Sequence, residues 1–293
     1  MSDAGGLGFV AAGYRSAAET AADIVAVGAR RFGVNLFVPG PREAEDVAPY
    51  AGRIAPEAQR QGVELGEPRW SDDDWDAKLE LVLRVRPAVV SFTFGQPSRE
   101  VVEELRRAGS QVWVTVTSAE PAEADALVVQ GAEAGGHRGG GDDTDALPLA
   151  ELLRTIETDV PLIAAGGIGN AAGVRAALDA GAAAVQVGTA LLLTPEAGTS
   201  EPHRRALAGD APTRLTRAFS GRRARGIENR FLREHDSFAP RAYPHVHYLT
   251  APVRAAARAA GDGDAINLWA GTNYGLARAE PAADVVARLA DGL

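Results

Sequence analysis

Short apolar runs alternate with longer amphipathic stretches along most of the chain. The runs fall at residues 7–12, 34–38, 88–92, 111–116, 126–129, 161–165 and 184–187, and are nearly continuous in Val, Ile, Leu, Phe and Ala. Strands covered on both faces have this character, as in a parallel sheet. The segments between them carry helix start and stop signals. Ser16 followed by Glu19 reads as a capping box, opening a helix that reaches Gly33. Ser71 precedes Asp72, Asp73 and Asp74, an acidic first turn that suits the helix dipole. Ser98 opens a helix that stops at Gly109, and Asn170 one that stops at Gly181. Strand–helix alternation of this length predicts βαβ units.

Seven strands are one short of a closed (β/α)8 TIM barrel. An open doubly wound sheet is the alternative. The barrel is favoured because candidate functional loops follow several different strands. Phosphate-type glycines also follow the last two strands, where barrel enzymes commonly bind phosphate. The expected fold is therefore α/β, a TIM barrel lacking its first strand. Beyond Thr194 the pattern changes: residues 198–262 are rich in Arg and Pro, with nine arginines between Arg204 and Arg233. This segment is expected to be a smaller, mostly helical capping domain with solvated arginines, an anionic-ligand patch being the minor alternative. The barrel is assigned residues 1–197 and 263–293, ending on a helix over 281–289.

Composition narrows the choice. A chain of 293 residues, 46% hydrophobic, can build one large domain or a large domain with a small one. A net charge of −9 argues against nucleic acid as a partner. The absence of cysteine excludes disulfides and thiolate chemistry. No run of about 18 apolar residues predicts a membrane span, and the first residues do not read as a signal peptide, so a cytoplasmic location is expected. Lys78 is the only lysine, which reads as composition bias.

The candidate chemistry lies at the strand ends. "PLIAAGGIGN" ends a buried strand on Gly166 and Gly167 just before a helix, and "AVQVGTALLL" repeats the scheme at Gly188 and Thr189. Backbone N–H groups there approach a phosphate unobstructed, and a helix N-terminus adds a favourable dipole. No G-x-G-x-x-G precedes an acidic residue, so a Rossmann nucleotide site has little support. "VVQGAEAGGHRG" places His137 among Gly135, Gly136, Gly139 and Gly140. Histidine suits proton transfer near neutral pH, and the glycines leave room for a flat ligand. Asn35 and Gln130 are amides in apolar strands that need partners, such as a heteroaromatic ring edge. Together these residues describe a flavin mononucleotide (FMN) site. "HVH" at His245–His247 reads as packing, and no metal site is expected because no third ligand is evident.

"AGGLGFVAAGY", "FGVNLFVP", "VVSFTFGQP", "VVQGAEAGGHRG", "PLIAAGGIGNAAGVRAALDAGAAAVQVGTALLLTPE", "TRAFSGRRARGIENRF" and "LWAGTNYGLA" together resemble the nitronate monooxygenases, formerly called 2-nitropropane dioxygenases, over almost the whole chain. The resemblance implies an FMN-dependent barrel enzyme that oxidises alkyl nitronates with O2 to a carbonyl compound and nitrite. It implies that Asn35, Gln130 and Gly135 contact the flavin, and that Gly167, Gln186, Val187, Gly188 and Thr189 hold its phosphate end. His137 would stand beside the substrate, orienting the nitronate or taking a proton from a nitroalkane. Partners would then be a small nitronate or nitroalkane and O2, with a homodimer compatible with the chain. An FMN-dependent NAD(P)H:quinone or enoyl-thioester reductase is the alternative within the fold; a flavin-free, non-catalytic protein is the alternative outside it.

Three departures from the family stand out. The family begins with a strand resembling "PIIQAPM" and a helix, and Met1 stands where relatives often carry an internal valine, which points to a misassigned start or a truncated chain. With the chain as it stands, two sheet edges are expected to lie exposed beside the flavin site. The connection "TSAEPAEA" is too short for an ordinary crossover helix. Thr93 and Thr272 occupy positions where relatives often carry histidine and glutamine.

Overall fold

A computed structural model of the chain describes residues 1–119, 122–141, 144 and 146–292. In chain order the strands are β1 (Gly8–Ala11), β2 (Phe32–Phe37), β3 (Val89–Thr93), β4 (Gln111–Val116), β5 (Ala126–Gln130), β6 (Gly136–His137), β7 (Leu162–Ala165), β8 (Ala184–Gln186), β9 (Thr213–Thr216) and β10 (Ala224–Ile227). The helices are α1 (Ala17–Val27), α2 (Ala48–Arg60), α3 (Trp75–Val85), α4 (Arg99–Ala108) and α5 (Leu149–Thr155). They continue with α6 (Ala171–Asp179), α7 (Glu201–Leu207), α8 (Arg230–His235), α9 (His245–Ala259) and α10 (Ala282–Leu289).

Seven strands pair in parallel in the order β1-β2-β3-β4-β5-β7-β8. Alternate residues face opposite sides. Val34 and Leu36 of β2, with Val90, Phe92 and Val112, pack outward against Ile24 of α1, Leu81 and Val82 of α3, and Val102 and Leu105 of α4. Asn35 faces the other way and stands in register with Ser91, which in turn pairs with Trp113. Those three residues, together with Phe9, Ile163, Ala184 and Gln186, line one cleft of about 510 Å³. Residues from six strands meet at a single cavity only if the sheet curls on itself, so the fold is a TIM-barrel-like α/β wall. The wall is open on one side. Strands β1 and β8 each have a single neighbour, and Val187, Val286 and Leu289 finish the cleft between them. The exposed Ala184 and Gln186 mark the free edge of β8.

The helix signals held at Ser98, whose Oγ accepts from Val101 N, and at Asn170, whose Oδ1 accepts from Gly173 N. The first helix corrects the sequence expectation. Its capping box forms, but the helix ends at Val27 and Gly28 rather than at Gly33. Gly33 belongs to β2, where a Cβ would collide with the ring of Phe9 on β1. This glycine answers a packing constraint and stops nothing. Asp73 and Asp74 are not an acidic first turn either: both have positive φ, and the helix begins after them at Trp75. No helix lies between β4 and β5 among the described residues, as the short connection implied.

Residues 198–262 hold helices α7, α8 and α9, and also two strands that the sequence pattern does not announce. Strands β9 and β10 of that segment pair antiparallel, and β10 pairs in turn with β6, so the glycine-rich stretch around His137 becomes a strand of a three-stranded sheet. Helix α2, which follows β2, joins this region: Tyr50 and Ile54 are buried in one cluster with Phe219, Phe231, Val246 and Leu249. Tyr50 Oη donates to Ala218 O at 2.6 Å. Nor are the arginines simply solvated. Arg204 donates to four carbonyls of residues 193–199, Arg225 to Ala132 O, and Arg222 to Arg138 O and Gly140 O. They tie loops together where no regular ladder exists.

Candidate active site

At the carboxyl ends of β7 and β8 the chain turns back on glycines. Gly166 and Gly167 have φ of 118° and 70°, conformations that need a glycine. A Cβ on Gly167 would meet Glu133 Cβ at 2.9 Å, and one on Gly135 would meet the backbone of Ala270 at 2.5 Å. The close approach leaves a cavity of about 180 Å³ lined by Gln130, Gly135, Gly166, Gly167, Gln186, Val187, Gly188 and Thr189. Eight residues chosen from sequence thus converge on one space. Among the described residues no backbone carbonyl accepts from the N–H of Gly167, Gly188 or Thr189. The N-terminus of α6, capped by Asn170, follows directly. Free amides at glycine turns, with a helix dipole behind them, suit an anion.

Asn35 does not border this cavity. It lies in the wider cleft, its Oδ1 accepting from Ser91 Oγ at 2.8 Å and Thr93 Oγ1 at 3.0 Å. Cleft and cavity share Gln186 and Val187, so they are contiguous. Gln130 spends its amide on the backbone: Nε2 donates to His137 O at 3.0 Å, and Oε1 accepts from Gly139 N at 2.9 Å. It braces the imidazole-bearing strand while facing the cavity.

His137 stands among residues that sequence reasoning missed. Its Nε2 is 2.8 Å from Ser220 Oγ and 3.5 Å from Tyr14 Oη. The rings of Tyr14, Phe94, Tyr243 and Trp269 surround it at 5.5–6.2 Å. His247 stacks flat on Tyr14 at 3.9 Å. Tyr14 follows β1, Ser220 precedes β10 and His247 opens α9, so only folding brings them together. The one usable signal was the second histidine of "HVH", one helical turn before Thr250 and two before Arg254.

Burial and the positive charges of Arg222 and Arg254 push the His137 imidazole down to about 3. Burial and Arg254 do the same to His247, also to about 3, and burial takes His203 to about 4. Arg254 itself is pulled down to about 10 by burial. It donates to Thr250 Oγ1, Asn267 Oδ1 and His247 O, all neutral acceptors. The rim of the site is therefore electropositive with its histidines neutral.

This has a consequence for folding. A histidine with a lowered native pKa binds more protons unfolded, near its ordinary 6.5, so its stabilising neutral form is lost as pH falls. Three such groups predict full stability above about pH 6.5 and a falling urea midpoint toward pH 4.5. Carboxylates such as Glu57, held at about 2, act only below that window. A midpoint flat from pH 7 to about pH 5 would contradict the assignment.

Glu57, Glu234 and His235 are the one group of potential metal ligands found among the described residues. Arg230 and Arg60 already donate to both oxygens of Glu57, so cations of the protein occupy that position.

A curled parallel sheet with glycine turns after its last strands and an imidazole on the same rim defines a barrel-type α/β protein whose candidate ligand site lies at the carboxyl ends of the strands. The nitronate monooxygenase model matches residues 1–292, and the chain belongs to that family of oxidoreductases. Nitronate monooxygenase of Pseudomonas aeruginosa is 38% identical over 322 residues, covering 100% of this chain and 91% of that protein. The Paraburkholderia phytofirmans nitronate monooxygenase is 37% identical, covering 98% and 85%. The crystal structure of nitroalkane oxidase from Streptomyces ansochromogenes superposes with a TM-score of 0.95 at 47% identity, over 99% of this chain and 89% of that one. FabK from Thermotoga maritima, at 23% identity and a TM-score of 0.73 over 98% and 85%, shares the fold alone. No helix among the described residues is long and apolar enough to cross a membrane.

Proposed function

We propose that the protein oxidises small alkyl nitronates with FMN and O2, yielding a carbonyl compound and nitrite. The observation that carries this is the neutral His137 on an electropositive rim, one amide away from a glycine cradle for a phosphate. The N–H groups of Gly167, Gly188 and Thr189, with Thr189 Oγ1, would hold the FMN phosphate; Gly135, Gly166, Gln186 and Val187 would line its path, and Gln130 and Asn35 would face the ring. FMN, when bound, supplies the redox chemistry. The protein's own part is binding and field. Arg222 and Arg254 favour an anion over a neutral nitroalkane. In the tautomer whose Nε2 accepts from the Ser220 or Tyr14 hydroxyl, the Nδ1–H of His137 is left as a donor for a nitronate oxygen. A group held near 3 is a poor base at neutral pH, so orientation of a preformed nitronate fits His137 better than proton abstraction. The aromatic rings around it would shield the substrate on those sides and keep it small. Residues 198–262 with helix α2 would form the cap over this site.

The test is an absorption spectrum of the purified protein with added FMN, followed by nitrite release from ethyl nitronate. Gly188→Asp probes the cradle, because a Cβ there meets nothing within 4 Å and the fold tolerates it. Its carboxylate should weaken FMN binding at least about tenfold by repulsion of the phosphate, with an unchanged melting temperature. Equal FMN affinity in both proteins would sink the cradle assignment.

A further inference from the structure

One buried ion pair outside the described machinery reaches into it. Tyr14 has φ of 62°, a region that aromatic residues rarely adopt. Its N–H donates to Asp73 Oδ1 at 2.9 Å. The other oxygen, Oδ2, lies 2.7 Å from Nζ of Lys78, whose side chain is 2% exposed. Lys78 is the chain's only lysine. The neighbouring Asp74 reaches the start of α1, just past that loop, its Oδ2 accepting from Ala17 N at 3.0 Å. Both aspartates sit at positive φ, 59° and 54°, and Asp74 makes no cap bond to its own helix α3. From these left-handed positions Asp73 bridges Tyr14 N to Lys78 of α3, and Asp74 reaches the start of α1. A buried lysine–aspartate pair is weak evidence of stabilisation, because desolvation offsets the attraction. What it does here is fix a backbone that would otherwise relax.

We propose that Asp73 and Lys78 are positioning residues, holding Tyr14 in its left-handed conformation so that its phenol stays 3.5 Å from His137 Nε2 and its ring stays flat on His247. Only the kinetic arm of the test rests on the nitronate reading. Asp73→Gly removes the carboxylate while tolerating the positive φ, and Asp73→Asn retains an acceptor for Tyr14 N. In the intact protein, Asp73→Gly should lower kcat/KM for ethyl nitronate about tenfold, and Asp73→Asn should restore most of the loss. In a Tyr14→Ala background, Asp73→Gly should change kcat/KM by less than about twofold, yet lower the urea midpoint as much as it does with Tyr14 present. In 15N-histidine spectra, with or without flavin, the His137 Nε2 signal should move in Asp73→Gly and in Tyr14→Phe. A full tenfold loss in the Tyr14→Ala background, or an unmoved His137 signal in Asp73→Gly, would overturn the proposal. A protein that turns over no nitronate fails the functional reading, and the histidine spectrum then decides alone.

Discussion

A His137→Asn variant is expected to release nitrite from ethyl nitronate about a hundredfold more slowly than the parent protein, with flavin binding unchanged. The asparagine amide still reaches hydrogen-bond partners, so the loop and its brace to Gln130, which uses the backbone oxygen of residue 137, remain in place. What disappears is the donor fixed by Ser220 and Tyr14. One charge-assisted hydrogen bond to an anionic reactant accounts for an effect of that size. The choice of substrate separates two roles. A donor that orients an anion costs turnover of the nitronate itself. A general base would leave nitronate turnover nearly intact and abolish activity only on the neutral nitroalkane. The second pattern would remove the orienting role assigned to His137.

Glu57→Ala should destabilise the protein by about 3 kcal/mol, read as a lower urea midpoint with an unchanged slope. Glu57 is on α2 with a side chain 3% exposed, and Arg230 and His235 of α8 both donate to it or share a proton with it. Burial alone would raise its pKa, but hydrogen bonds from Arg230, His235 and Arg60 carry it down to about 2. Removing the carboxylate leaves these groups facing one another. The loss falls at the low end for a buried pair because Arg60 and Arg230 reach solvent, at 52% and 22% exposure. A change below about 1 kcal/mol would mean that the cluster is as weak as a surface pair.

The long strands were legible because a strand covered on both faces must be apolar throughout, and each of the seven runs became one. The glycine turns were legible for a similar reason: residues 166, 167 and 188 are consecutive with the strands that carry them. The antiparallel sheet was not. Strand β6 is two residues long and β9 is "TRLT", and neither has a pattern until β10 pairs with it. Gly33 misled because a glycine that stops a helix and a glycine that admits a neighbouring ring look alike in one dimension. The cage around His137 was hidden by sequence distance, with Tyr14 lying 123 residues before it and Ser220 83 after. Asp73 misled in the same way as Gly33: an acidic residue ahead of a helix suggests its dipole, whereas this carboxylate ties Lys78 of that helix to the Tyr14 loop.

The opening between β1 and β8 gives the molecule two arms. One arm, β7 and β8, holds the glycine turns; the other, β1 to β3, carries Tyr14, Phe37 and Phe94 at its tip. In a closed ring the spacing of such halves is set by every strand at once. In a horseshoe it is set by β4 and β5 at the bend, and by whatever bridges the gap. The distance between the glycine turns and Tyr14 is then an adjustable span, and any element that fills the gap also calibrates the site.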